Sequence, residues 1–252
     1  MLCDLLGLTR FRLPVTLTLG VQIQERQRDL RMWRYSMKRR WVIVVLTCVA
    51  LISVGLILRA ERKNRGLAKQ AAAYRIVAEQ GDPKYQSMMG YVYEYGKGVP
   101  KDYVEAVRWY RKSAEQGDAY GQYALARMYH EGKGIPQDHL KAAQWCRKAA
   151  EGGNALAQDA LAIMYRKGEG VSADDVEAVR WYRKSAEQGY PQAQYDLGYM
   201  YYYGYGVPED RGEATYLFLD AARKGNEDAK RALECVRRGT SVDPGAGLRG
   251  LR

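Results

Sequence analysis

A glycine pattern that recurs every 36 residues constrains this 252-residue chain more than any other feature. Gly81, Gly117, Gly153, Gly189 and Gly225 hold one column. A second pair keeps the same phase at Gly96/Gly98, Gly132/Gly134, Gly168/Gly170 and Gly204/Gly206, within the stretches GKGVPKD, GKGIPQD, GEGVSAD and GYGVPED. Alanine recurs at 78, 114, 150, 186 and 222, glutamine at 86, 122, 158 and 194, and tyrosine at 93, 129, 165 and 201. Trp109, Trp145 and Trp181 form a further column, with Leu217 fourth. A unit this short cannot bury its own apolar stripe, so successive units have to stack into one continuous core.

Each unit reads as two helices. In the first unit, residues 83–95 place Met89, Val92 and Tyr93 on one stripe at helical spacing. Gly96 and Gly98 end that helix, because glycine accepts the left-handed conformation of a helix C-cap. Pro100 prevents continuation and Asp102 is placed to cap the next helix. Residues 103–115 then turn Ala106, Trp109, Tyr110 and Ala114 inward. Small alanines let helices approach closely, and the tryptophan fills space between layers.

The pattern AQ-x-x-LG-x-MY-x-x-G-x-GV, continued by A-x-x-W-x-x-x-AAEQG, resembles the Sel-one-like repeat family, relatives of the tetratricopeptide repeats. The fourth unit shows its first half most clearly: Ala193, Gln194, Leu197, Gly198, Met200, Tyr201, Gly204, Gly206 and Val207. The tetratricopeptide period of about 34 residues fits less well. The resemblance implies an all-α, right-handed α-solenoid with the first helices lining its concave wall. Its units are predicted at 82–117, 118–153, 154–189 and 190–225. Half-units flank them. Residues 67–81 keep Ala78, Glu79, Gln80 and Gly81 of a second helix, and 226–238 keep Ala229 and Leu233 of a first helix. These supply the polar caps that a stacked array needs at its ends.

The charge is uneven along the chain. Residues 1–81 carry 15 Lys and Arg against 5 Asp and Glu, whereas residues 82–225 carry 19 against 20. The basic excess therefore flanks an apolar run and does not lie on the repeats, which argues against nucleic-acid binding. That run, 41–58, reads WVIVVLTCVALISVGLIL without a charge or proline. At about 1.5 Å per residue it nearly spans a bilayer core of about 30 Å, so one transmembrane helix is predicted there. An uncleaved signal anchor is favoured over a cleaved signal, since no small-residue cleavage site follows Leu58. Seven basic residues lie within 15 positions on its N-terminal side and five on the other, which puts the repeats outside the cytoplasm. Residues 1–40 are expected to be a disordered basic segment, 59–66 a basic linker and 239–252 a disordered tail. The sequence MKRRWVIVV leaves Met37 open as an alternative start.

Motifs for chemistry are few. The four cysteines, Cys3, Cys48, Cys146 and Cys235, have neither staple nor zinc-site spacing. The two histidines, His130 and His139, read as surface residues, because His130 shares a variable column with Glu94, Arg166 and Tyr202. The G-x-G pairs follow helices and not strands, so a dinucleotide reading fails. No metal, cofactor or small-molecule substrate is expected, and the chain reads as a non-enzyme. The alternative that the resemblance brings in is a secreted or envelope hydrolase acting on cell-wall-type substrates; such members carry a cysteine pair in every repeat, which this sequence lacks.

Function is expected where columns vary. On the first helices, positions spaced by four residues give Ser87, Tyr91 and Tyr95, then Tyr123, Arg127 and Glu131, then Asp159, Ile163 and Lys167, then Tyr195, Tyr199 and Tyr203. Tyrosine buries area at low entropic cost and keeps a polar tip. Tyr91, Tyr95, Tyr123, Arg127, Ile163, Lys167, Tyr195, Tyr199 and Tyr203 are accordingly predicted to bind a protein partner, centred on unit four. The cations of the second helices, among them Arg111, Lys112, Arg147, Lys148, Arg183 and Lys184, read as a solvated face.

Overall fold

The computed structural model describes residues 62–242 and, besides them, the single positions 28, 32, 33, 53 and 59. The chain divides into two units, residues 1–63 and 64–252, and the repeat helices all belong to the second. Apart from those single positions, the expected basic segment, the apolar run 41–58 and the tail beyond 242 lie outside the described residues. Among the described residues, no helix is long and apolar enough to cross a membrane.

From residue 64 onward the chain is helical over 64–79 (α1). It continues through Pro83–Tyr95 (α2), Tyr103–Glu115 (α3), Ala119–Glu131 (α4), His139–Glu151 (α5) and Ala155–Lys167 (α6). Asp175–Glu187 (α7), Pro191–Tyr203 (α8), Arg211–Arg223 (α9) and Glu227–Arg238 (α10) complete the array. Each helix packs on the next, and four pairs, α2/α3 to α8/α9, repeat one geometry. An all-helical solenoid of four hairpins with a capping helix at either end is therefore present.

Local chemistry sets these boundaries. Gly96, Gly132, Gly168 and Gly204 each take a left-handed C-cap conformation, with φ between 63° and 70°. Asp102, Asp138, Asp174 and Asp210 accept backbone N–H bonds at the start of the second helices. Such a cap contributes about 1 kcal/mol. Asp82, Asp118, Asn154 and Asn226 cap first helices in the same way, whereas Tyr190 makes no side-chain cap before Pro191.

The periodic columns are the joints between units. The side-chain amides of Gln86, Gln122, Gln158 and Gln194 donate to the carbonyls of Ala78, Ala114, Ala150 and Ala186, at 3.0 to 3.3 Å. The second glycine of each G-x-G lies against the first turn of the preceding unit's second helix. A Cβ at Gly98, Gly134, Gly170 or Gly206 would strike backbone at Leu67, Tyr103, His139 or Asp175, always 31 residues earlier. That offset shows α1 standing in for the second helix of a missing unit, with Leu67 in register, as the half-unit cap required. Residues 64–66, expected as linker, form the preceding turn of α1, since nothing there breaks a helix that continues into AKQAAAY.

The core follows the array. A central cluster runs through Tyr110, Leu125, Met128, Leu161, Tyr182 and Met200. Tyr195, Tyr199, Phe218, Ala229 and Val242 form a separate C-terminal cluster, and Ala71, Ala78, Met89, Val92 and Trp109 an N-terminal one. Burying each of these large side chains contributes about 1.5–3 kcal/mol. Val242 corrects the expected tail: it is buried, and its carbonyl accepts a 2.7 Å bond from the Tyr203 hydroxyl.

Candidate protein-binding face

The predicted columns divide sharply between the two ends of the array. On α2, Tyr91 and Tyr95 stand one turn apart with rings 4.6 Å from each other, 40% and 50% exposed. Met88 and Tyr120 extend this surface at 43% and 40% exposure. Beside them a groove of about 680 Å³ is lined by Leu67, Tyr74, Met88, Tyr91, Val92 and Tyr120. Tyr120 was absent from the sequence-derived set because it occupies a column of Lys84, Leu156 and Gln192 with no chemical theme. Partial burial, then the Glu94 carboxylate, pushes its phenol above the usual range.

In the middle units, Tyr123, Arg127, Ile163 and Lys167 share the wall of a smaller cavity of about 170 Å³ with Cys146 and His130. Lys167 is exposed, while Tyr123 and Ile163 are half-buried. Arg127 is no free cation. It donates 2.6 Å bonds to both oxygens of buried Glu94, which also accepts from the Tyr110 hydroxyl at 2.7 Å. Arg127 is thus held in a network that joins units one and two, which suits a structural role better than a docking one.

Unit four overturns the exposure expected of it. Tyr195 is 0% and Tyr199 7% exposed, and both pack in the C-terminal cluster with Phe218. Tyr203 is half-buried beneath Val242. The physical reason is what packs on them: Phe218 of α9, Ala229 and Ala232 of the capping helix α10, and Val242 beyond it close over these rings. In the column of Glu94, His130, Arg166 and Tyr202, only His130 remains partly open to solvent. Glu94 and Tyr202 are buried, and the Arg166 side chain is 7% exposed.

The cationic ladder of the second helices is structural. Lys112, Lys148 and Lys184 lie over the rings of Trp109, Trp145 and Trp181 at 4.1 to 4.6 Å. Arg111, Arg147 and Arg183 donate to the hydroxyls of Tyr129, Tyr165 and Tyr201 in the following unit, at 3.3, 2.6 and 2.8 Å. A wide groove of about 810 Å³ between these helices is lined by Arg111, Trp145 and Lys148, groups already engaged in this stitching. The histidines also depart from expectation: His130 and His139 meet each other and Glu169.

A stacked array of helical hairpins, with an aromatic face left open at one end, is the architecture of the tetratricopeptide-like interaction scaffolds. Within that class this chain belongs to the Sel1 repeat family, whose repeat matches at residues 83–118, 119–154, 155–190 and 191–226, one residue later than each predicted unit. A similar solved structure is c5321, a protective antigen present in uropathogenic Escherichia coli strains displaying an SLR fold. It is 37% identical at a TM-score of 0.64 over 70% of this chain, which spans 38% of that protein. The Sel1 repeat protein of Oxalobacter formigenes is 35% identical at a TM-score of 0.64, covering 71% of this chain and 73% of the other. No curated protein sequence matches this chain. The Sel1 repeat array is a non-catalytic scaffold, in keeping with the expected non-enzyme.

Proposed function

We propose that the protein is a non-enzymatic adaptor that captures a protein partner on the first-helix face of units one to three, centred on Tyr91, Tyr95 and Tyr120. Tyr123, Ile163 and Lys167 extend this face, whereas Tyr195, Tyr199 and Tyr203 pack within the C-terminal cluster. The carrying observation is the cluster of Met88, Tyr91, Tyr95 and Tyr120, four large side chains left exposed beside an apolar groove. Tyrosine-rich patches of this kind concentrate binding energy. The groove takes an apolar side chain of the partner, and Lys84, Lys97 and Asp118 at its rim contribute orientation.

Site-specific photocrosslinking in native cells tests this. A crosslinker at position 91 or 95 yields an adduct, while one at Tyr216, 64% exposed on α9, yields none. Tyr91→Ala with Tyr95→Ala weakens capture of the crosslinked partner by about 30-fold or more, corresponding to about 2 kcal/mol. The melting temperature changes little. Adducts at 216 alone, or unchanged capture by the double variant, would overturn the reading.

The adaptor is further proposed to be anchored by residues 41–58, with its repeats facing the periplasm or an equivalent space. The apolar run and the asymmetry of its basic flanks support this.

A further inference from the structure

The repeat architecture brings three positions together at every junction between units. The turn after each first helix folds back through one backbone bond, from Asp102, Asp138, Asp174 or Asp210 N–H to Tyr93, Tyr129, Tyr165 or Tyr201 C=O, at 2.9 to 3.0 Å. This sets the residue after each tyrosine beside the residue after each aspartate. The next unit's G-x-G then packs its second glycine on the same helix start and delivers the residue between its glycines to that spot.

The occupants differ from joint to joint. At the first junction they are Glu94, Tyr103 and Lys133, and Lys133 Nζ lies 5.9 Å from the Tyr103 ring centroid. At the third they are Arg166, Asp175 and Tyr205, with Arg166 Nε 3.6 Å from Asp175 and its guanidinium 5.6 Å from the Tyr205 ring. Both trios contain a fixed cation with a partner. At the middle junction the trio is His130, His139 and Glu169, with no fixed cation among its members. These are the only two histidines of the chain. Their rings lie 5.1 Å apart at 72°, and His130 Nε2 is 2.8 Å from Glu169 Oε2. One donor atom from each of the three residues lies within 4.8 Å of the others. His139 Nδ1 is buried without a hydrogen-bond partner.

We propose that His130, His139 and Glu169 form a binding site for a divalent transition-metal ion, Zn²⁺ by the chemistry of its donors. Two imidazoles and one carboxylate are a borderline set that suits zinc and disfavours calcium or magnesium, which take oxygen ligands. Zinc–nitrogen bonds of about 2.0–2.1 Å need donors about 3.3 Å apart in a tetrahedron. The three side chains reach this by small rotations, because all sit at a partly open surface, the His130 side chain being 41% and that of Glu169 32% exposed. A fourth position faces solvent. The ion would tie unit two to unit three, stiffening the one junction of the three whose trio holds no fixed cation. Cavity residues Tyr123 and Arg127 adjoin His130, so binding would also order the middle of the first-helix face.

The test uses the full chain without a polyhistidine tag. Competitive titration against a chromogenic chelator is expected to give one Zn²⁺ per chain, and Co²⁺ a visible tetrahedral absorption. His130→Gln, His139→Gln and Glu169→Gln, each checked for helical content without metal, weaken Zn²⁺ at least about 10-fold. A second readout needs no variant: Zn²⁺ protects both histidines of the wild-type chain from diethyl pyrocarbonate, read by mass spectrometry. Absence of stoichiometric binding, binding unchanged in the histidine variants, or unchanged histidine modification would each overturn the site.

Discussion

Asp196 is the residue whose surroundings least resemble its repeat equivalents. Its column holds Met88, Ala124 and Ala160 in the other units, yet in unit four a carboxylate is fully buried. Around it stand Gln192, whose amide donates at 3.2 Å, with Arg166, Asp159 and Asp228 contributing charge. Burial pushes the Asp196 carboxyl from 3.8 up to about 7, and burial together with Asp196 raises Asp159 as well. The folded chain therefore binds a proton that the unfolded chain releases between about pH 4 and pH 7. Stability from this group is complete below the unfolded value and falls as pH rises through the folded one. Asp196→Asn removes the burdened charge while keeping an amide for Gln192. At pH 8 it is expected to melt at least about 4 °C above the wild type, at about 2–4 °C per kcal/mol, and to match it near pH 4. Thermal melts across that range check this, and a wild-type melting temperature that stays flat from pH 4 to 8 would refute it. Nothing local in the sequence announces that Asp196 is sealed, since Met88 in the same column is exposed.

Helix limits were legible because their causes are local: a glycine at positive φ, an aspartate at the cap, a proline after the turn. Contacts across joints were not, since they depend on which residue faces which at an offset of 31 or 18 positions. The exposure of Tyr195 and Tyr199 was misjudged for this reason, and so was the meeting of His130 with Glu169, 39 residues later. The two glycine columns give a test of the joints themselves. Gly117 (φ 87°) has nothing within 4 Å of an added Cβ, so Gly117→Ala carries only the left-handed strain of about 1–2 kcal/mol. Gly134 (φ 69°) carries the same strain, and its Cβ would also strike the Tyr103 carbonyl. Gly134→Ala is therefore expected to cost at least about 3 kcal/mol and to split unfolding into two transitions, one for each side of the parted joint. Differential scanning calorimetry decides it: equal, single transitions for both variants would mean that the joint yields easily.

Over the whole molecule, the basic excess and the four repeats occupy different parts of the chain. The repeats are nearly neutral, with 19 Lys and Arg against 20 Asp and Glu over residues 82–225, while residues 1–81 hold 15 against 5. Under the proposed anchoring, a reporter fused after Gly239 is active only if it works outside the cytoplasm, and the fusion sediments with membranes. Activity confined to a cytoplasmic reporter would reverse the orientation, and a soluble, shortened product would replace the anchor with a cleaved signal. Folding of the repeats is separate from that outcome, because α1 already supplies the first joint through Leu67 and Gly98.

The constant offset between glycine and helix start has a consequence for how such a chain lengthens. A joint recognises only the distance back along the sequence, so it does not register where a unit is said to begin. Copying any 36 consecutive residues from within 83–226, whatever the cut point, delivers every glycine to a waiting helix start. Copying 35 or 37 misplaces all that follow. Growth by whole periods is therefore nearly free of structural penalty, and the partner surface can be extended without redesigning the ends.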